Sequence, residues 1–232
     1  MKYSIIIPIY KEKKNLKKLI KYLNSSLKFI KHENEIIFVD DDSMDGSISE
    51  FKKSKKKNMR FFVRKKKPRD LSKSVVYGFR KARYENLAVM DGDLQHSPKD
   101  LLRLIKEFEK QKFDIVVGSR NLLNNNKLKL NILRFYVSKF LNFVTNFFFG
   151  LNLKDPMSGF FIIKKNIFRK CEKKLFLLGY KVLLDIILCS SRKIKIKEIY
   201  INFKSRDKGF SKMRLKIISQ LGFFLLYNFF IK

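Results

Sequence analysis

Short apolar runs alternate along this chain with longer stretches in which apolar residues recur at helical spacing. The run Tyr3–Ile9 is typical of a strand buried on both faces of a sheet. Asn15 is placed to cap a helix whose apolar face consists of Leu16, Leu19, Ile20, Leu23 and Leu27. Further strands are predicted at Glu35–Asp40, Met59–Arg64, Leu87–Met90 and Asp114–Ser119, and further helices at Leu71–Arg83 and Ser97–Lys110. This alternation predicts an α/β fold with a Rossmann-like, mostly parallel sheet flanked by helices.

After residue 120 the apolar segments become longer and richer in Phe. Residues 131–151 predict a helix with one Phe-rich face and one polar face, which suits either a core helix or a helix lying in a membrane interface. The remaining predicted elements are a strand at Phe161–Ile163, a helix near Tyr180–Ser190 and a strand at Lys195–Phe203.

The C-terminal end of the chain is apolar but short. Residues 216–232 fall below the roughly 20 residues that span a bilayer comfortably, so we expect them to lie at a membrane interface or to insert partly. We therefore assign residues 1–212 to one domain, which includes the amphipathic helix 131–151, and residues 213–232 to a membrane-associated C-terminal segment.

Acidic turns follow two of the predicted strands. One is Asp40-Asp41-Asp42-Ser43-Met44-Asp45-Gly46, and the other is Asp91-Gly92-Asp93, after which Ser97 and Pro98 open a helix. Two carboxylates so close together favour a bound divalent cation, and Mg²⁺ or Mn²⁺ suits oxygen ligands and a diphosphate. Gly92 would let a ligand approach the backbone. Ligands of open parallel sheets bind beyond the carboxyl ends of the strands, where Arg120 also lies. A plain polar turn is the alternative for each turn alone.

The charge balance is strongly basic. The chain has 53 Lys and Arg against 21 Asp and Glu, a formal net charge of +32, and no acid occurs from Lys52 to Arg69. An anionic membrane surface or a nucleic acid would be attracted by such a charge. A compositionally biased genome and a merely solvated surface are alternative explanations. Nucleic acid is the weaker partner because the chain carries no recognition helix, zinc motif or RNA-binding aromatic signature.

The two cysteines, Cys171 and Cys189, have no metal-binding spacing, which argues against structural zinc or a disulfide framework and favours a reducing, cytosolic setting. The N-terminal apolar run is interrupted by Pro8 and reads as a core strand, unlike a signal peptide.

Several short motifs occur in a fixed order along the chain. They are Pro8-Ile9-Tyr10-Lys11-Glu12, Val39–Gly46, Arg69–Lys73, Asp91–Pro98, Gly118-Ser119-Arg120, Asp155 with Ser158-Gly159-Phe160, Gly179-Tyr180-Lys181 and Arg206–Lys212. In this order they resemble the motifs of family 2 glycosyltransferases of GT-A fold. Within that family the chain is most similar to the polyprenyl-phosphate sugar transferases, the group that includes the dolichol-phosphate mannose synthases. The ordered set is specific although each motif alone is not.

The resemblance implies a role for each matching residue. The base and ribose of a nucleotide-sugar would be held by Pro8, Tyr10, Glu12, Val39 and Asp41. The metal and diphosphate would be held by Asp91, Asp93 and Gln95, with Gly92 beside them. Phosphate would be bound by Arg120, Arg206, Ser211 and Lys212, with Lys181 as a weaker candidate. Asp155 would orient the acceptor or act at the reacting carbon, and otherwise is a turn residue before Pro156. The catalytic residues implied are Asp93, Arg120 and Asp155.

The implied reaction is the inverting, metal-dependent transfer of mannose or glucose from a GDP- or UDP-sugar to polyprenyl or dolichyl phosphate. A lipid phosphate is largely ionised at neutral pH, its second pKa being near ~6, so it needs no catalytic histidine. Neither His32 nor His96 has a partner in the sequence that would make one. The alternatives are a family 2 enzyme with a glycan or other acceptor, and a nucleotide-binding protein without turnover. The latter is motivated by Asp42, where the family commonly has Gly, and by Asp70 and Ser72.

The resemblance also implies a location and partners. We expect the chain to lie at the cytoplasmic face of a membrane, peripherally or shallowly inserted. Its partners would be the nucleotide-sugar, the polyprenyl phosphate and anionic lipid headgroups, with a membrane-anchoring protein as a further candidate and no nucleic acid.

Overall fold

The computed structural model describes residues 1–29, 32–120, 132–177, 179, 181–190 and 194–202, without the side chains of 132–138 and 141. These residues form a seven-stranded sheet and seven α-helices. The strands are β1 Tyr3–Ile9, β2 Asn34–Asp40, β3 Met59–Val63, β4 Asn86–Val89, β5 Ile115–Arg120, β6 Phe161–Lys164 and β7 Ile196–Ile201. The helices are α1 Lys13–Leu27, α2 Ser47–Ser54, α3 Leu71–Lys81, α4 Pro98–Phe108, α5 Ile132–Phe149, α6 Lys165–Cys171 and α7 Val182–Cys189.

The strands lie in the order β3-β2-β1-β4-β6-β5-β7. All of them are parallel to β1 except β6, which is antiparallel to both of its neighbours, β4 and β5. The carboxyl ends of β1, β2, β4 and β5 therefore share one edge of the sheet, and the segment that enters β6 begins at that same edge. The predicted α/β architecture with a mostly parallel sheet is confirmed.

Two apolar cores cover the two faces of the sheet because successive side chains of each strand point to opposite faces. Ile5 and Ile7 of β1 pack with α1, α2 and α4, whereas Ile6 packs with α3, α6 and α7. Gly78 of α3 lies against β1 so closely that a Cβ there would be 2.5 Å from a methyl group of Ile6. Helix α3 can therefore pack this closely on β1 only because residue 78 has no side chain.

Most predicted elements are confirmed with small shifts at their ends, and Ser97 caps α4 as predicted, with its hydroxyl accepting from the Lys99 amide. The proposed Asn15 cap is wrong. Helix α1 begins two residues earlier, at Lys13, and the buried Asn15 side chain donates to the Glu12 carboxylate at 2.7 Å. Helices α2 and α6 were not predicted, since each has eight residues or fewer and too few apolar positions for a clear periodicity.

The described side chains of helix α5 differ in burial between its two faces. The polar residues Asn142 and Thr145 are buried, whereas Phe140, Phe143 and Phe147 are exposed. In this part of the helix, exposed Phe side chains lie opposite buried polar ones. Within the described residues, no helix is long and apolar enough to cross a bilayer. The C-terminal segment 213–232 lies outside the described residues.

Replacing Gly78 with Ala tests the close approach of α3 to the sheet. The added methyl group must displace Ile6, so we expect the free energy of unfolding to fall by about 1–3 kcal/mol despite the better helix propensity of Ala. Urea unfolding followed by circular dichroism measures the change. The matched control is Lys17→Ala on the exposed face of α1, with an expected change within about 0.5 kcal/mol. A Gly78→Ala protein as stable as this control would contradict the packing.

Candidate active site

The acidic turn after β4 packs against the end of β1. A Cβ on Gly92 would lie 2.6 Å from a methyl group of Ile9 and 3.3 Å from the Pro8 carbonyl oxygen. Packing against the end of β1 therefore requires glycine at position 92. This is a second reason for glycine, besides the ligand access expected from the sequence. The Asp93 carboxylate is largely buried and accepts a hydrogen bond of 3.1 Å from the Gln95 amide. The turn is thus fixed before any ligand is considered.

His96 supports this turn as a neutral side chain. Its Nδ1 accepts a hydrogen bond of 3.3 Å from the Asp91 amide, and its ring stacks on Phe160 at 4.7 Å between centroids. Burial, and to a lesser extent the charge of Arg120, lower the pKa of His96 to about 3. The imidazole is therefore uncharged at neutral pH and holds the backbone of the acidic turn. His32 lies far away, with its Nε2 3.1 Å from Glu109 near the amino ends of the strands.

The acids of this turn suit a hard divalent cation. The Asp91 side chain is 32% exposed, and a Cβ on Gly159 would lie 3.2 Å from both of its carboxylate oxygens, so glycine there keeps the space beside Asp91 open. Among the described residues, no group of three His, Cys, Asp or Glu side chains forms a closed metal site. Mg²⁺ commonly uses only one or two carboxylates and completes its shell with water and phosphate oxygens. The donor set therefore fits such a metal.

Arg120 and Asp155 form a buried ion pair next to this turn. The guanidinium donates from Nε and Nη2 to the two carboxylate oxygens at 2.7 and 2.8 Å, and the Arg120 amide donates to the same carboxylate. Burial lowers the pKa of Arg120, but the nearby Asp155 and Asp91 outweigh it and raise the pKa overall. Arg120 therefore keeps its charge, and Asp155 is more than a turn residue before Pro156.

The second acidic turn joins loops to one another. Asp41 pairs with the buried Arg64 and accepts a hydrogen bond of 2.7 Å from the Asp70 amide. Asp45 accepts hydrogen bonds of 3.0 Å from the amides of Lys13 and Ser47, at the starts of α1 and α2. A carboxylate is favourable at a helix amino terminus, and this one serves two helices. Asp41 and Asp45 therefore fix the positions of the neighbouring loops and helix starts through their hydrogen bonds and ion pair.

Comparison with known protein families identifies the family of this chain. A family model described as glycosyl transferase family 2 matches residues 4–171. The chain belongs to this family. It contains a sheet with GT-A-like structural neighbours and an acidic turn at the carboxyl edge, as the sequence resemblance implied.

Curated relatives are similar over most of the chain. A dolichol-phosphate mannosyltransferase of Pyrococcus furiosus is 33% identical over 220 residues, which cover 94% of this chain and 61% of that protein. Enzymes of the same name from Mycosarcoma maydis and Saccharomyces cerevisiae are 33% and 31% identical, and the matched regions cover 74% and 84% of their lengths. The chain thus spans about three fifths of the length of the archaeal relative and more of the two fungal ones.

Solved structures support the fold. Glucosyl-3-phosphoglycerate synthase from Mycobacterium tuberculosis, in complex with Mn²⁺, UDP-glucose and phosphoglyceric acid, superposes with a TM-score of 0.72 at 13% identity. Its complex with UDP gives a TM-score of 0.71 at 14% identity. Each comparison covers 98% of this chain and 78% of the other chain. At such low identity the likeness concerns the fold alone.

The residues expected to hold the nucleotide differ in how they could contact it. Pro8 and Val39 are buried, so they would contribute backbone groups or packing. Glu12 lies at the start of α1 and accepts from Asn15. Tyr10 is half-buried, and the Arg69 guanidinium lies 5.2 Å from its ring and donates to its hydroxyl at 3.2 Å. Of this group, Tyr10 presents the largest surface for a base.

Asp42 occupies the position where this glycosyltransferase family commonly has Gly, and its backbone keeps a glycine-like conformation. Its φ is +57°, in the left-handed region that side chains rarely adopt. The carboxylate pairs with Lys67 at 2.7 Å, and the carbonyl oxygen accepts from Arg69 at 2.9 Å. Asp42 therefore adopts the backbone conformation that a glycine would adopt in this turn. Lys67 contacts its carboxylate and Arg69 contacts its carbonyl oxygen.

Lys181 lies at the start of α7 with only 3% of its surface exposed. Burial lowers its pKa to about 7, although Asp70 opposes the shift. Asp70 in turn caps α3 and accepts from the Gly179 amide at 2.6 Å, so the two segments are held together. The remaining expected phosphate ligands, Arg206, Ser211 and Lys212, lie outside the described residues.

The structure thus brings Asp91, Asp93, Gln95, Arg120 and Asp155 to one edge of the sheet. Sequence reasoning missed the structural partners Arg64 and Glu198. Arg64 could have been noticed, because it directly follows β3 at the same edge. Glu198 lies inside β7 and no motif marks it.

Lys181→Met tests the burial of this lysine through the pH dependence of stability. The folded-state pKa of about 7 lies below the ordinary value of 10.5, so the unfolded chain binds more protons between these values and wild-type stability rises with pH there. The gain in melting temperature from Lys181→Met should therefore be largest below pH 7 and should shrink between pH 7 and 10. Differential scanning fluorimetry against Lys17→Met measures it. An equal difference at pH 6 and pH 10 would contradict this assignment.

Proposed function

We propose that this glycosyltransferase moves a hexose from a nucleoside-diphosphate sugar to a polyprenyl or dolichyl phosphate, with inversion at the anomeric carbon. The observation that carries the proposal is identity of 31–33% over 93–95% of the chain to three proteins named dolichol-phosphate mannosyltransferase. The name of these relatives favours mannose as the sugar, with glucose as the second choice. GDP and UDP both remain candidates for the nucleotide.

The donor diphosphate would bind at the acidic turn together with Mg²⁺ or Mn²⁺. Asp91, Asp93 and Gln95 would hold the metal, which when bound supplies positive charge against the diphosphate. The Mn²⁺ and UDP-glucose bound by structural neighbours support a divalent ion in this fold. Pro8, Tyr10, Glu12, Val39 and Asp41 would form the base and ribose site around it.

The protein side chains account for the remaining requirements of the transfer. Negative charge develops on the leaving diphosphate, and the permanently charged Arg120 lies beside the acidic turn to stabilise it. The attacking lipid phosphate is already ionised at neutral pH and needs no general base. The neutral, buried His96 is consistent with that, because it is committed to the Asp91 backbone. Asp155 orients Arg120 through two hydrogen bonds. The phosphate oxygens would be bound by Lys181, Arg206, Ser211 and Lys212.

The lipid substrate calls for contact with a membrane, and α5 offers a surface for it. Phe140, Phe143, Phe147 and Phe148 are exposed on one helix whose opposite face is polar and buried. Large apolar side chains of this kind insert into the interface between headgroups and acyl chains. The net charge of +32 would add attraction to anionic lipids. We propose peripheral or shallow binding at the cytoplasmic face, to which residues 213–232 and a membrane-anchoring partner protein would contribute.

A transfer assay tests the proposed reaction. Radiolabelled GDP-mannose, UDP-glucose and related donors are incubated with polyprenyl phosphate, and label is measured in the organic phase with and without Mg²⁺ or Mn²⁺. We expect metal-dependent label, and a loss of about 100-fold or more for Asp93→Asn because the leaving-group charge is less well stabilised. The control Asp114→Asn makes the same change near the amino end of β5. Absence of label for every donor would contradict the lipid-phosphate reaction and favour another acceptor. Label that does not depend on Mg²⁺ or Mn²⁺ would contradict the proposed metal requirement.

Vesicle sedimentation tests the membrane surface. Phe143→Asp combined with Phe147→Asp should reduce binding to anionic vesicles at least several-fold, because two exposed rings are lost and two negative charges are added. The matched control combines Tyr22→Asp with Phe29→Asp, since both rings are exposed but lie in α1 or just after it. Equal losses from both proteins would show that charge alone drives binding and would contradict a role for the α5 face.

A further inference from the structure

The backbone segment Leu153–Asp155 is held from two sides by residues that no site motif includes. One side is the edge strand β7, and the other is the polar face of α5. The segment ends at Asp155, whose carboxylate is 2% exposed and binds Arg120 at two points. A shift of this backbone would therefore move the carboxylate that sets the orientation of Arg120.

On the side of β7, the carboxylate of Glu198 accepts three hydrogen bonds. Glu198 accepts hydrogen bonds from the Asp155 amide at 3.0 Å and from the Lys154 amide at 2.8 Å, and also from the Ser119 hydroxyl. Ser119 immediately precedes Arg120 in β5. A single side chain thus joins the backbone of Asp155 to the strand that carries its ion-pair partner. Hydrogen bonds to a charged acceptor are among the stronger ones in proteins.

On the side of α5, two asparagine amides hold the same segment. Asn146 donates to the Leu153 carbonyl at 2.7 Å and accepts from the Leu153 amide at 3.2 Å. Asn142 donates to the Lys154 carbonyl at 3.0 Å. These side chains explain why the polar face of α5 is buried and its Phe face exposed. The backbone of residues 153–155 is therefore hydrogen-bonded to side chains of both α5 and β7.

We infer that Glu198 and Asn146 are positioning residues for the Arg120–Asp155 pair. They act through their hydrogen bonds to the backbone of Leu153–Asp155. The inference rests on the proposed function only for the use to which Arg120 is put.

The experiment uses the full chain and two kinds of readout. The variants are Glu198→Gln, which keeps size but removes an acceptor and adds donors, and Asn146→Ala, which reaches the same segment from the other side. The controls are Glu85→Gln, an exposed carboxylate, and Asn152→Ala, an exposed asparagine next to the segment. The first readout is the Nε–H signal of Arg120 in a ¹H–¹⁵N spectrum, assigned with Arg120→Lys. The second is the kcat for sugar transfer beside the dissociation constant of GDP or UDP.

In the wild-type protein and both controls, we expect a sharp Arg120 signal that exchanges slowly with solvent. In Glu198→Gln and Asn146→Ala we expect it to shift or broaden. The value of kcat should fall roughly tenfold or more, since small misplacements of a catalytic group are costly, while nucleotide affinity stays within about twofold. In an Asp155→Asn background, Glu198→Gln should cause little further loss.

An unchanged Arg120 signal in both folded variants would overturn the inference, as would losses that multiply fully with that of Asp155→Asn. If the wild-type protein transfers no sugar to lipid, the proposed function fails, and the Arg120 signal still decides whether Glu198 and Asn146 position the pair. Should Glu198→Gln fail to fold, Asn146→Ala decides the same question alone.

Discussion

The constraint on which this structure depends is the placement of many carboxylates at one edge of a sheet. Like charges in a partly buried site destabilise one another unless each carboxylate has a donor or a cation. The chain meets this need locally: Asp41 pairs with Arg64, Asp155 with Arg120, and Asp45 with the amide groups at the starts of two helices. Each pairing also ties a loop in place. The electrostatic requirement and the shape of the candidate site are therefore satisfied by the same contacts.

The antiparallel strand β6 gives the site its second wall. It lies between β4 and β5, and so the turn that precedes it meets the acidic turn after β4. Phe160 then stacks on His96, and Gly159 lies against the Asp91 carboxylate. Because β6 is inserted between two strands that come earlier in the chain, the two halves of the site meet only through the pairing of β6 with β4 and β5.

Helix α5 links the candidate site to the surface proposed to meet lipid. A core helix buries its apolar face, but here the asparagines face inward and satisfy the backbone of residues 153–155. Buried polar groups are stable when their hydrogen bonds are satisfied, and exposed Phe side chains are stable when a partner covers them. The described part of the helix thus has its polar side chains in the protein and its Phe side chains exposed.

The sequence by itself determined the order of the strands and of all helices except α2 along the first 120 residues, the α/β class and the edge at which Asp91, Asp93 and Arg120 meet. These follow from local periodicity and from the rule that parallel strands direct their carboxyl ends to one side. Tertiary structure alone decided the neutrality of His96, the pairing of Asp155 with Arg120, the pKa of Lys181 and the hydrogen bonds of Glu198 and Asn146 to residues 153–155. It also decided which face of α5 is buried, where two-faced periodicity left the choice open. The physical reason is that burial and charge pairing depend on residues distant in sequence, whereas periodicity records only local neighbours.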